Sequence, residues 1–305
     1  MQLFKNERLY SASDICGFLE CQHLTATDLL HLVSPQPKAV DSDDNRLIQE
    51  KGLEHETAYL NLLKAQHARV VDIAEGGART LDEKVELTRR AMEQGVDVVF
   101  QATLREGNYI GHADFLRKVP GASVFGDYSY EVIDTKLAKR SKAKFIVQLA
   151  LYSRMLARLQ GVTPKYMYVV LGDAARTEER FRVADYADYL ASVLRRFSAF
   201  IGQAEPSGTY PEPCDHCGFC AWRERCAEQR KTDDHLSAVA NISKSQLRKL
   251  QGAEVRTLQQ LAELPVGAHI PKLNTDSLTK LHLQARLQFA GRQQESPLFE
   301  LLAGR

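Results

Sequence analysis

The stretch Tyr130-Glu131-Val132-Ile133-Asp134-Thr135-Lys136 carries the residue types best suited to chemistry. The β-branched Val132, Ile133 and Thr135 favour a strand. Strand side chains alternate, so Asp134 and Lys136 point to one face, about 7 Å apart. A carboxylate there can hold a divalent cation. An ammonium beside it can stabilise charge or orient a water, as metal-assisted phosphodiester hydrolysis requires. An ordinary surface ion pair fits the same two residues, so the company they keep decides. Gly111-His112-Ala113-Asp114-Phe115-Leu116-Arg117 closes the preceding strand-like run, and Asp114 can bring a second carboxylate. His112 shares its face. Upstream, Gly52-Leu53-Glu54-His55-Glu56 lies in a helical pattern. Downstream, Gln148 and Tyr152 are four apart, hence on one face of a helix.

The elements that must position these residues follow from periodicity. Residues 11 to 31 read as a helix capped by Ser11 or Ser13, and 33 to 43, with Pro35 and Pro37, as a loop. A second helical pattern covers 45 to 66, with Leu47, Ile48, Leu53, Leu60, Leu62 and Leu63 as its apolar positions. Arg69 to Ile73 reads as a short strand and Leu81 to Gln94 as a helix. Val96 to Leu104 and Tyr109 to Arg117 read as two strands joined by a turn at 105 to 108. Pro120-Gly121-Ala122 reads as a loop before the Asp134 strand. Lys142 to Leu159 is an amphipathic helix, followed by strands over Lys165 to Gly172 and Glu179 to Val183 and a helix over Asp185 to Gln203. The middle of the chain therefore runs αβββαβ, an α/β class with a mixed sheet flanked by helices.

Taken together, His55, Asp114, Asp134, Lys136, Gln148 and Tyr152 resemble the RecB-like branch of the PD-(D/E)xK nucleases. That branch includes the CRISPR-associated RecB-like exonucleases and RecB-like nucleases that precede an RNase H-like domain. The resemblance covers about residues 11 to 230 and is far more specific than any single motif. It implies a restriction-endonuclease-like core. It also implies that the imidazole of the Gly52-x-x-His55 arrangement, Asp114, Asp134 and the Thr135 carbonyl bind Mn²⁺ or Mg²⁺. Glu56 is the weaker alternative ligand. Lys136 would act on the attacking water or the scissile phosphate, and Gln148 with Tyr152, matching Q-x-x-x-Y, would help position the strand or the site. The implied activity is a metal-dependent DNA nuclease, an exonuclease on single-stranded ends. A catalytically inactive DNA-binding adaptor of the same fold and an RNA nuclease are the alternatives.

Six cysteines are spread unevenly: Cys16 and Cys21, then Cys214, Cys217, Cys220 and Cys226. Such clustering in a chain without a secretory signal reads as metal binding rather than a disulfide framework. Cys217-x-x-Cys220-x5-Cys226 resembles the C-terminal cysteine motif of iron–sulfur RecB-like nucleases. There an N-terminal cysteine, here Cys21, completes a 4Fe–4S cluster. Zinc is the rival, held by Cys214, Cys217, Cys220 and Cys226, with His216 as a further candidate. Cys16 reads as buried or spare.

The 305 residues are 44% hydrophobic and 26% charged, ordinary for a soluble globular protein. No apolar run approaches the roughly 20 residues of a membrane helix, and the N-terminus has no signal-peptide core. The expected location is cytoplasmic. Net charge is only +1, so a nucleic-acid binder must concentrate its basic residues. Lys136, Lys139, Arg140, Lys142 and Lys144 do so beside the candidate site. The chain divides into a nuclease domain over 1–230 and a helical region over 231–305. In the latter, Asn241 to Leu264, broken at Gln251-Gly252, resembles a helix–hairpin–helix, and Thr275 to Phe289 reads as a helix. Ser296 to Arg305 reads as a linker. The resemblance also implies that an RNase H-like domain or a helicase partner can follow.

Overall fold

The computed structural model describes all residues except 67–68, 204–207, 266, 293, 295–297 and 301–305. The chain forms two compact units, Met1–Thr209 and Tyr210–Arg305. The first contains β1 (Gln2–Phe4), β2 (Glu7–Ser11), α1 (Ala12–Glu20), α2 (Gln22–Val33), α3 (Asp43–Gln66), β3 (Val70–Asp72) and α4 (Leu81–Glu93). There follow β4 (Val98–Glu106), β5 (Tyr109–Ser123), β6 (Gly126–Lys136), α5 (Ala143–Gln160), β7 (Tyr166–Leu171), β8 (Glu178–Arg182) and α6 (Ala187–Ile201).

The αβββαβ order expected from periodicity is α4-β4-β5-β6-α5-β7. The strands make one mixed sheet: β5 pairs antiparallel with β4 and β6, and β6 pairs parallel with β7. α5 lays Phe145, Ile146, Leu149, Met155 and Leu156 into the larger core. α3 closes a smaller core over Phe115, Ile133 and Val170 with Tyr59, Leu60 and Leu63.

Three local expectations are corrected. Residues 11 to 31 are two helices, because Cys21 is extended (φ −158°, ψ 109°) and ends α1 before α2 begins. Of the two caps expected, Ser11 caps α1, in a capping box with Asp14. Pro120-Gly121-Ala122 is not a loop but the distal part of β5, where its register with β6 shifts. A proline lacks a ladder donor and is tolerated at such an irregularity. In α3, Leu47, Ile48 and Leu53 are exposed because only its C-terminal half lies on the sheet, and Leu62 is exposed although it lies in that half, while Tyr59, Leu60 and Leu63 are buried. β1 and β2 were not foreseen.

The second unit has α7 (Arg223–Thr232), α8 (Lys244–Gln251), α9 (Leu258–Ala262) and α10 (Thr275–Gly291). Leu236, Leu247, Leu250, Leu258, Leu261 and Leu281 form its own core. Part of the turn-rich 205–213 stretch and most of 296–305 lie outside the described residues. No helix among the described residues is long and apolar enough to cross a membrane.

Candidate active site

The site forms where two strands part. One edge of β5 is covered by β4 along Tyr109 to Arg117. The other edge is shared: β2 pairs with it at Tyr109 and Ile110, and β6 joins only from Phe115 onward. Among the described residues Gly111 to Asp114 therefore have no strand on that edge, and β6 runs on through Asp134, Thr135 and Lys136 with only β7 beside it. Asp114 fills the fork. Its Oδ2 accepts the Thr135 backbone N–H at 2.7 Å and the Thr135 hydroxyl at 2.8 Å. A carboxylate thus takes the donor that the missing ladder leaves open.

Asp134 is fully buried. Gln148 Nε2 donates to its Oδ1 at 3.1 Å, and the same amide reaches the Tyr152 hydroxyl at 3.1 Å. Lys136 Nζ lies 2.5 Å from Oδ2 as an ion pair, yet that oxygen accepts no well-aligned hydrogen bond. Burial, then the charge of Asp114, pushes the Asp134 carboxyl up to about 7, against the pull of Lys136. Lys136 loses from burial, but Asp134 and Asp114 outweigh that and hold its proton more tightly than usual. It is an ammonium at neutral pH.

α5 brings Gln148 and Tyr152 to this point because positions four apart share a helix face. Gly111 makes room for Tyr152, since a Cβ there would meet the ring at 2.7 Å. Burial, then Asp134, raises the proton affinity of the Tyr152 phenol.

α3 supplies the remaining residues. His55 Nε2 is 3.3 Å from the carbonyl oxygen of Val170, the residue of β7 that pairs with Thr135. Glu56 accepts a hydrogen bond from the Gln101 side-chain amide. Its carboxyl is pushed up to about 7 by burial and by the charge of Asp114. The sequence pattern did not single out Gln101, which lies between Phe100 and Ala102 in a strand that also carries Thr103, Arg105 and Glu106. His112, two residues before Asp114 on β5, has its Nδ1 3.3 Å from the hydroxyl of Thr103, its cross-strand partner on β4.

Among the described residues no three His, Cys, Asp or Glu side chains form a ready metal-holding group. Asp114 is engaged by Thr135, Asp134 by Gln148 and Lys136, and His55 lies against a carbonyl. The donor set nonetheless fits a hard divalent cation: carboxylates crowd together, and one buried carboxylate oxygen meets only the Lys136 ammonium, without a well-aligned hydrogen bond.

The cysteines divide between the units. Cys21 caps α2, its sulfur accepting the Leu24 N–H at 3.4 Å. In the second unit the Cys214 N–H faces Cys217 Sγ at 3.3 Å and the Trp222 N–H faces Cys220 Sγ at 3.4 Å. Cys214 Sγ and Cys217 Sγ are 3.8 Å apart. Burial pushes the Cys16 thiol up to about 11, which keeps it protonated.

A family model for the PD-(D/E)XK nuclease superfamily matches residues 20–227. Among curated proteins none matches. The crystal structure of SSO0001 is similar over 73% of this chain and 88% of that one, at 13% identity and a TM-score of 0.29. The matched span takes in the fork, its carboxylates and its lysine, and the chain belongs to the PD-(D/E)XK nuclease superfamily.

Proposed function

We propose that the chain is a divalent-cation-dependent DNA nuclease acting on single-stranded ends. The observation that carries this reading is the fork of β5 and β6, where Asp114 and Asp134 crowd beside the Lys136 ammonium. His55, Asp114 and Asp134, with the Thr135 carbonyl, are the ligands in this reading. Oxygen-rich ligation suits Mg²⁺ or Mn²⁺, and an imidazole tilts the choice toward Mn²⁺. Such an ion, when bound, polarises a phosphoryl oxygen and lowers the pKa of water.

Lys136 meets the scissile phosphate as a cation, because its neighbours hold its proton. Its task is to stabilise charge that develops on the phosphate. Gln148 fixes the Asp134 carboxylate and links it to Tyr152, so α5 sets the orientation of the site. Lys139, Arg140, Lys142 and Lys144 are exposed immediately after β6 and suit steering of a phosphate backbone. The inactive-adaptor reading loses ground because none of these residues is replaced. Labelled single-stranded DNA, double-stranded DNA and RNA, each with Mn²⁺, Mg²⁺ or chelator, form the test. Cation-dependent shortening of single-stranded DNA from its ends is expected. Binding without cleavage under every condition would establish the adaptor instead, and preferential RNA cleavage would reassign the substrate.

For the cysteines we propose a 4Fe–4S cluster on Cys21, Cys217, Cys220 and Cys226. Backbone amides directed at Cys217 and Cys220 sulfur support thiolate ligation there. Zinc on Cys214, Cys217, Cys220 and Cys226 is the second reading, favoured by the 3.8 Å between two of those sulfurs. Thiolates about 2.3 Å from one tetrahedral ion lie at about that spacing. Protein purified without oxygen should be brown, and Cys21→Ser should bleach it while Cys214→Ser should not. Colourless protein that loses zinc on Cys214→Ser but keeps it on Cys21→Ser would overturn the cluster.

A further inference from the structure

Resting on the cation site proposed above, we infer that Gln101 is a positioning residue: it holds Glu56 so that this residue serves as a third carboxylate beside Asp114 and Asp134. Gln101 and Asp114 face each other by register. The β4–β5 ladder steps from Phe100↔Phe115 to Ala102↔Ala113, and the couple between them is Gln101 and Asp114. Along Val98 to Glu106 the pairing is interrupted at this couple.

The cause is the Gln101 backbone, which sits at φ +53°. That is left-handed conformation, costly for any residue with a Cβ and nearly unknown inside a regular strand. Strain of this kind persists only where the surroundings impose it, and it concentrates at functional sites. Here the consequence is specific. The carboxamide of Gln101 donates to Glu56 Oε1 on α3, forty-five residues away in sequence. Among the described residues the other oxygen of Glu56 accepts no hydrogen bond. Glu56 is half-buried, and the charge of Asp114 acts on it directly.

The choice of glutamine is chemically apt. Lysine or arginine would bring a second cation to compete with the metal. A carboxylate would repel Glu56. A neutral carboxamide fixes one carboxylate oxygen by a donor and leaves the full negative charge for the ion. Groups that orient ligands in this way are worth about 10- to 100-fold in metal affinity.

Calorimetric titration of the metal-free full chain with MnCl₂, together with thermal melting, tests the inference. Gln101→Gly removes the amide but adopts a positive φ at no steric cost. It should bind Mn²⁺ about 10- to 100-fold more weakly while melting no lower than wild type. A purely structural glutamine would show the reverse, a lower melting temperature with unchanged affinity. Glu56→Gln should weaken binding similarly, and the double variant should lose no more than Glu56→Gln alone. Gln101→Asn tolerates the left-handed backbone but is one methylene short, so it should match Gln101→Gly even if that variant folds poorly. Wild-type affinity in Gln101→Gly or Gln101→Asn, with Asp134→Ala abolishing binding, would overturn the role of Gln101 alone. Absence of Mn²⁺ binding by the wild type would overturn the cation site and this inference together.

Discussion

Two clusters of polar side chains lie against the same sheet, and they are built on opposite terms. In one, Glu131 is buried, yet both its oxygens are satisfied, by the Tyr166 N–H at 2.9 Å and the Tyr168 hydroxyl at 2.8 Å. Next to it Glu178 accepts the Tyr59 hydroxyl at 2.6 Å and pairs with Arg117 at 3.0 Å, and the Arg117 guanidinium lies 4.5 Å from the Tyr168 ring centre. Every carboxylate has a donor, and a buried network completed in this way adds rigidity. In the other cluster Asp114, Asp134 and Glu56 face one ammonium, Lys136, and the charge of Asp114 raises the proton affinity of both Asp134 and Glu56. Among the described residues the buried Oδ2 of Asp134 has the Lys136 ammonium as its one partner, without a well-aligned hydrogen bond. Burial is common to both. What separates them is uncompensated negative charge, and such a site is suited to receive a cation.

The largest effect should come from the lysine. Lys136→Ala should lower cleavage of single-stranded DNA at least about 100-fold, or about 2.7 kcal/mol in the barrier, as for other positioned catalytic groups. DNA binding should stay nearly intact. Near-normal cleavage by this variant would remove Lys136 from the mechanism.

Next comes the cation. Asp114→Ala or Asp134→Ala should abolish Mn²⁺ binding in calorimetry. Neither should unfold the protein, since each relieves repulsion among carboxylates as well as breaking hydrogen bonds. Unchanged stoichiometry and affinity would contradict the ligand set.

The contrasting cluster should answer in stability rather than activity. Glu131→Ala leaves the Tyr166 N–H and the Tyr168 hydroxyl without their acceptor. It should cost about 1–3 kcal/mol by urea denaturation, the usual penalty for an orphaned buried donor. Its Mn²⁺ affinity should match wild type. If Glu131→Ala weakens the cation more than it weakens the fold, the two clusters are not separate.

Much of this contrast was legible beforehand. The two-residue period placed Asp134 and Lys136 on one face, and the four-residue spacing put Gln148 and Tyr152 in hydrogen-bond contact. Local patterns also located α4, the β4–β5 hairpin, α5 and β7. They could not show the fork, because the parting of β5 and β6 depends on β2, a strand from the far N-terminus, taking the start of β5. Periodicity marked Leu47, Ile48 and Leu53 as one apolar pattern but cannot tell where a helix overhangs its sheet. Gln101 gave no signal at all. Its left-handed backbone is imposed by tertiary context, against the preference of its residue type.

The smallest effect concerns pH, and its sign follows from the crowded carboxylates. In the folded chain burial and the charge of Asp114 push the Asp134 carboxyl well above its ordinary range and the Glu56 carboxyl up to about 7. In the unfolded chain aspartate and glutamate titrate near about 4. Between those values the folded state holds protons that the unfolded state has released. Stability from these two groups is therefore fully present below about pH 4 and is lost as pH rises through 7. The His112 imidazole, its proton affinity lowered by desolvation and by the charge of Lys84, works in the opposite direction, so the comparison must be made against a variant. Metal-free wild type should lose more melting temperature between pH 5 and pH 8 than Asp134→Asn/Glu56→Gln does, by about a few degrees. Saturating Mn²⁺ should reverse the difference, because a cation and protons compete for the same oxygens and affinity rises with pH up to about 7. Parallel melting curves for the two proteins across that range would mean that the fork carries no excess negative charge.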